Sequence, residues 1–133
     1  MIKEFVPYTE ALELKQLGFD VPCFFAFDNC STPMRCTDLR TGEQRFNGVN
    51  YNSSSYTSQP TFSQAFRWFR EKHDLVHHIN RDGGWWLCSI LDLYDEKEQG
   101  AIETHIDNCY PDTYEEAELA CLRKLISIVK QKP

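Results

Sequence analysis

The chain has 133 residues, 41% of them hydrophobic, only six Gly and six Pro, and a net charge of -6. This composition excludes a disordered or collagen-like chain and fits one domain of ordinary size. The longest apolar run, Val21 to Phe27, is seven residues, far short of the ~20 needed by a membrane helix. Lys3 and Glu4 stand where a secretory leader would place apolar residues, which predicts a chain without such a leader, acting in the cytoplasm.

The first predicted element is a helix opened by Pro7-Tyr8-Thr9-Glu10-Ala11 and running to Leu17, with Gly18 as its C-terminal stop. Cys23 to Phe27 is short, aromatic and bounded by Pro22 and Asp28, the pattern of a buried strand. Met34 to Leu39 and Gln44 to Val49 are expected to pair across Thr41-Gly42, and residues 47–60, rich in Asn, Ser and Tyr, read as a mobile loop. Thr61-Phe62-Ser63-Gln64-Ala65 opens a second helix that ends near His73. Leu75 to Asn80 and Trp85 to Leu91 flank Asp82-Gly83-Gly84, the clearest hairpin signal in the chain. Ala101 to Ile106 alternates as a further strand, reached through the charged loop Asp95 to Gly100. Thr113-Tyr114-Glu115-Glu116-Ala117 opens the last helix, which ends near Lys130. The second and third starts each fit a capping box, with Thr at the cap and Gln64 or Glu116 three residues on. The expectation is a single α+β domain over residues 1–133, an antiparallel sheet of four to six strands with three helices packed on it.

Charge is concentrated. Residues 1–91 carry net -1, residues 92–118 carry net -9 with ten acids and Lys97 alone as base, and residues 119–133 carry net +4. That window opposes direct phosphate or nucleic-acid binding and suits either plain solvent or a basic partner. Within it Asp92, Asp95, Glu96 and Glu98 are candidate contact residues.

On the last helix Ala117, Leu119, Cys121, Leu122, Leu125, Ile126, Ile128 and Val129 cover an apolar arc of roughly 200°. Glu118 falls inside that arc. It either lines a pocket, or escapes past the sheet edge or meets an Arg, and the nearby helix N-terminus favours its charge. On the second helix Phe62, Ala65, Phe66 and Phe69 form the core stripe, and Trp68 lies at its edge in company with Arg67 and Arg70. An aromatic ring with arginines is a common contact surface and a stacking platform for a base, although a Trp at this position can equally pack under a loop. Trp85 and Trp86 must point to opposite faces of their strand, so one of them is core.

The six cysteines are read as reduced thiols, because no leader points to an oxidising compartment. Cys88 and Cys121 lie in apolar periodic segments and read as small buried hydrophobes. Cys23, Cys30 and Cys36, and the pair His105 and Cys109, have no metal-site spacing that repeats, so no metal and no cofactor is expected. No phosphate loop, nucleophile elbow or zinc-protease helix is present in the sequence. His77 and His78, adjacent on a strand, diverge to opposite faces.

Residues Pro60 to Lys72 (PTFSQAFRWFREK) and Thr113 to Leu122 (TYEEAELACL) have a further significance, together with Ala11 to Lys15, Gly18-Phe19 and Pro22-Cys23-Phe24. They resemble a group of small uncharacterised proteins encoded by phages and prophages of Bacteroides-like bacteria. The resemblance covers the three helices and the first strand, roughly a third of the chain. It implies a phage-encoded protein acting inside a bacterial cell and carries over no functional residue. The resulting expectation is a non-enzymatic accessory protein that binds a host or phage protein. The alternatives are a binder of a nucleotide-like small molecule, or an enzyme with an unrecognised site.

Overall fold

The computed structural model describes residues 4–27, 33–35, 52, 56–93, 102–106 and 110–132, with backbone alone at 33–35 and 102–105. These residues form three helices and six strands, an α+β fold. They gather into two compact units, Met1–Gln64 and Ala65–Pro133.

In the first unit, α1 (Tyr8–Gln16) packs on β3 (Thr57–Gln59). Gly18 ends the helix as expected, and the backbone shows why. Its φ is +91°, in the left-handed region that favours glycine. The Phe19 N–H donates to Leu14 O at 3.0 Å and the Gly18 N–H to Lys15 O at 3.1 Å, which together make a Schellman motif. Leu14 and Phe19, the residues this motif brings together, are both buried. The sheet has the order β2-β1-β3, with β1 (Phe25–Phe27) antiparallel to β2 (Pro33–Arg35) on one side and to β3 on the other. Asn52 braces β3 from outside: its side chain donates to Phe19 O at 2.7 Å and accepts from the Ser58 N–H at 2.8 Å.

Two expectations change here. Residues 57–59 belong to a strand and not to the loop, because β1 supplies a partner edge to which they bond; residues 47–51 and 53–55 lie outside the described residues. The strand at Met34 pairs with β1, Phe25 opposite Arg35; the rest of its expected span, residues 36–39, and its expected partner, Gln44 to Val49, lie outside the described residues.

In the second unit, β4 (Leu75–Asp82) and β5 (Trp85–Asp92) form the expected hairpin, and β6 (Ile102–His105) pairs with the far edge of β5. The connection is two residues, Gly83-Gly84, with Gly83 at φ +60°. Positive φ at the first central residue is the requirement of a type II′ turn, whose twist matches that of the strands. On α2 (Phe62–His73) the expected stripe Phe62, Ala65, Phe66 and Phe69 is buried throughout. On α3 (Tyr114–Gln131), which packs on β4 and β5, Ala117, Cys121, Leu122, Leu125 and Ile126 are buried; Leu119, Ile128 and Val129 are only half-buried. The apolar arc is therefore narrower than the sequence proposes. Among the described residues the strands form two three-stranded sheets, with β1 and β5 central, and not one sheet of four to six.

The three helix starts share an aromatic first residue and an Ala at the fourth, and Ala11, Ala65 and Ala117 are all buried. Their third residues differ in use. At α2 the box is complete: the Gln64 N–H donates to Thr61 Oγ1 at 3.1 Å, and the Thr61 N–H to Gln64 Oε1 at 2.9 Å. At α3 the Glu116 N–H donates to Thr113 Oγ1 at 3.2 Å, but the Glu116 carboxylate accepts from the Asp112 N–H at 3.3 Å, one residue upstream of a capping box. At α1 the cap is Pro7, with no side-chain bond.

Thr61→Ala removes the anchor of a reciprocal pair and should cost about 1–2 kcal/mol; Thr113→Ala, at a half-formed box, should cost about 0.5–1 kcal/mol. Gly18→Ala meets no atom but must hold a positive φ, for about 1 kcal/mol. Urea unfolding followed by far-ultraviolet circular dichroism ranks the three.

Candidate functional site

Among the described residues three of the exposed aromatic rings gather at the turn end of the β4–β5 hairpin, Trp85 on β5 itself and Tyr110 and Tyr114 beside it. Strand alternation sends Trp85 and Leu87 to one face and Trp86, Cys88 and Ile90 to the other. The second face is turned to α3, where the Cys88 thiol donates to Ala117 O at 3.7 Å within the core. Trp85 and Leu87 are exposed, Trp85 to 45%.

A short segment clasps the end of this hairpin. The Trp86 N–H donates to Pro111 O at 3.0 Å, which lays residues 110–114 against the start of β5. Tyr110 then meets the Trp85 ring edge-to-face, centroids 5.6 Å apart at 64°. Tyr114 meets the Trp86 ring at 5.3 Å and 78°. Both separations fall in the range where edge-to-face pairs attract. Tyr110 is the more open of the two tyrosines, 63% exposed. Burial, then the charges of Glu118 and Cys121, raise the Tyr114 phenol above its ordinary value.

Arg81 stands opposite Trp86 in the register. Its Nε–H donates to Gly83 O at 3.1 Å, and its guanidinium carbon lies 5.1 Å from the Trp86 ring centre, a cation–π contact. Asp82 stands opposite Trp85. Asp112, Glu115 and Glu116 are exposed at the start of α3.

The expected contact residues fare unevenly. Trp85 and Trp86 are brought together with Tyr110, Tyr114 and Arg81. Trp68 is not at the surface: it is 4% exposed, edge-on to Phe69 and to His73. Arg67 and Arg70 are exposed, but without that ring they form no stacking platform. Arg67 is instead paired with Glu71 at 2.8 Å, one turn along α2. Asp92 is half-buried, with Lys132 at 3.3 Å. Glu118 is half-buried. Asp95, Glu96 and Glu98 lie outside the described residues, as do Cys30, Cys36 and Cys109. Cys88 and Cys121 are buried as expected, and so is Cys23. Among the described residues no group of three His, Cys, Asp or Glu side chains could hold a metal ion, and no helix is long and apolar enough to cross a membrane.

Two features escape a sequence reading. Tyr110 gains its role only through the Pro111 backbone bond to Trp86. His77 stacks face-to-face on Phe66, with ring centroids 3.7 Å apart, and its Nδ1 has no hydrogen-bond partner among the described residues. It borders a half-open recess of about 300 Å³ with Val76, His78 and Leu91.

This chain matches no protein-family model, no curated protein and no solved structure.

Burial first, then the nearby charges of Arg70 and His78, hold the His77 imidazole down at about 4. In the unfolded chain the ring takes a proton near its ordinary value of about 6.5. Between those values the unfolded state binds more protons, so stability falls as pH drops. The contribution is whole above about pH 6.5 and is lost progressively toward about pH 4. His77→Phe keeps the ring on Phe66 and should flatten this part of the profile. Solvent reaches part of the ring, so the expected difference is about 1–2 kcal/mol. Urea unfolding at about pH 4.5 and pH 7 measures it; equal slopes for the two proteins would refute the assignment.

Proposed function

We propose that this protein is a small phage-type accessory protein that acts in the bacterial cytoplasm by non-covalent binding to a host or phage protein. The observation that carries the reading is the Trp85–Tyr110 pair, two large rings held in fixed mutual geometry and left open to solvent. Trp and Tyr are enriched at the centres of protein interfaces, because they offer large contact area with few rotatable bonds. Leu87 extends the same face. The resemblance of the helix starts and the first strand to phage and prophage proteins supplies the setting.

The rings are held by elements that do not depend on a partner. Trp85 leaves a two-residue turn with a fixed register, and Tyr110 is tied through Pro111 to the neighbouring strand position. A partner thus meets a preformed surface, and binding loses little side-chain freedom on this side.

Affinity capture from a bacterial host lysate with the wild-type protein, Trp85→Ala and Tyr110→Ala tests the reading. One partner should be retained by the wild type, and its recovery should fall at least about tenfold with either variant, the size expected for an interface centre. Equal recovery by all three proteins, with the variants folded by circular dichroism, overturns it.

A further inference from the structure

The segment Tyr110 to Tyr114 is flanked by two aromatic pairs, and one of them already holds a cation. On the side of Trp86 and Tyr114, the Arg81 guanidinium lies 5.1 Å from the indole centre. On the side of Trp85 and Tyr110, no described Lys or Arg lies over either ring. This second pair is the more exposed, and its rings meet at 64°, forming a corner toward solvent.

The charges beside that corner are acidic. Asp82 is the direct cross-strand neighbour of Trp85, a separation over which side chains interact. Asp112 lies two residues from Tyr110, and its backbone N–H holds the Glu116 carboxylate at 3.3 Å, bringing a second negative group to the same segment. The base of this region, Arg81, is engaged on Trp86 and Gly83 O. An anion approaching the corner meets repulsion from Asp82, Asp112 and Glu116. A cation meets the negative faces of two rings and these three carboxylates. Guanidinium suits both, since its plane stacks on aromatic faces while its edge donates to carboxylates.

From this complementarity we infer that the Trp85–Tyr110 corner docks a basic segment of a partner protein, with an arginine side chain seated on the rings and its charge answered by Asp82 and Asp112. The inference rests on the protein-binding reading above and adds the chemistry of the partner.

Calorimetric titration of the whole protein with a short arginine-rich peptide tests it, beside the same peptide with citrulline in place of arginine. Citrulline keeps the size and planarity of the side chain and removes its charge. The arginine peptide should bind at least about tenfold more tightly than the citrulline peptide. Trp85→Ala and Tyr110→Ala should each weaken it about tenfold, and Asp82→Asn with Asp112→Asn about threefold. Equal binding of the two peptides, both lost with Trp85→Ala, overturns the cationic partner and leaves the docking reading standing. Arginine-peptide binding that survives Trp85→Ala and Tyr110→Ala undiminished overturns it as well, since charge elsewhere would then suffice. Failure of the arginine peptide to bind also overturns it, while the lysate capture still decides whether the surface binds protein at all.

Discussion

Two glycines turn β4 back into β5, and the geometry of the second unit follows from that turn. A two-residue connection leaves the strands no freedom of register. Asp82 must face Trp85, Arg81 must face Trp86, and His77 must face Ile90. A slip of one residue would send every side chain to the other face. It would take Cys88 and Ile90 out of the core, part Arg81 from the Trp86 ring, and bring the imidazole of His77 off Phe66. The aromatic corner, the cation–π contact and the depressed histidine are three results of one pairing.

The negative charge of the chain now has a more particular distribution than its total conveys. Asp92, the first acid of the 92–118 window, is tied to Lys132, forty residues away, at the opposite end of α3. Glu116 is occupied at the helix start, where it accepts the Asp112 N–H, and Glu115 beside it suits the positive end of the helix dipole. Asp82, outside the window altogether, turns out to be the acid placed directly across from an exposed tryptophan. Sequence windows average over faces, whereas a hairpin register assigns each charge a neighbour.

What could be read from the chain is what its local chemistry decides. Gly18 stops α1 because only a residue at ease with positive φ closes that motif. Thr61 and Gln64 satisfy one another's backbone groups within four residues, so α2 announces its own start. Gly83-Gly84 between β-prone runs specifies a hairpin without help from elsewhere. The errors arise where a distant partner decides. Thr57 to Gln59 looks like loop by composition and becomes strand because β1 offers an edge. Trp68 sits at the margin of an apolar stripe, and no helical projection reveals whether such a margin is covered; here it is. Tyr110 is a featureless loop tyrosine until Pro111 bonds to Trp86, a contact across twenty-five positions of sequence.

The three tryptophans of the chain, Trp68, Trp85 and Trp86, all belong to the second compact unit, and each has a different surrounding: core, solvent, and a guanidinium with a tyrosine edge. Intrinsic indole emission is therefore a private signal of residues 65–133, blind to α1 and the first sheet. The helix signal in the far ultraviolet draws on both units. Comparing the two unfolding curves turns this uneven placement into a measure of cooperativity: coincident curves mean that the halves of the chain stand or fall together, and separated ones resolve the stability of each.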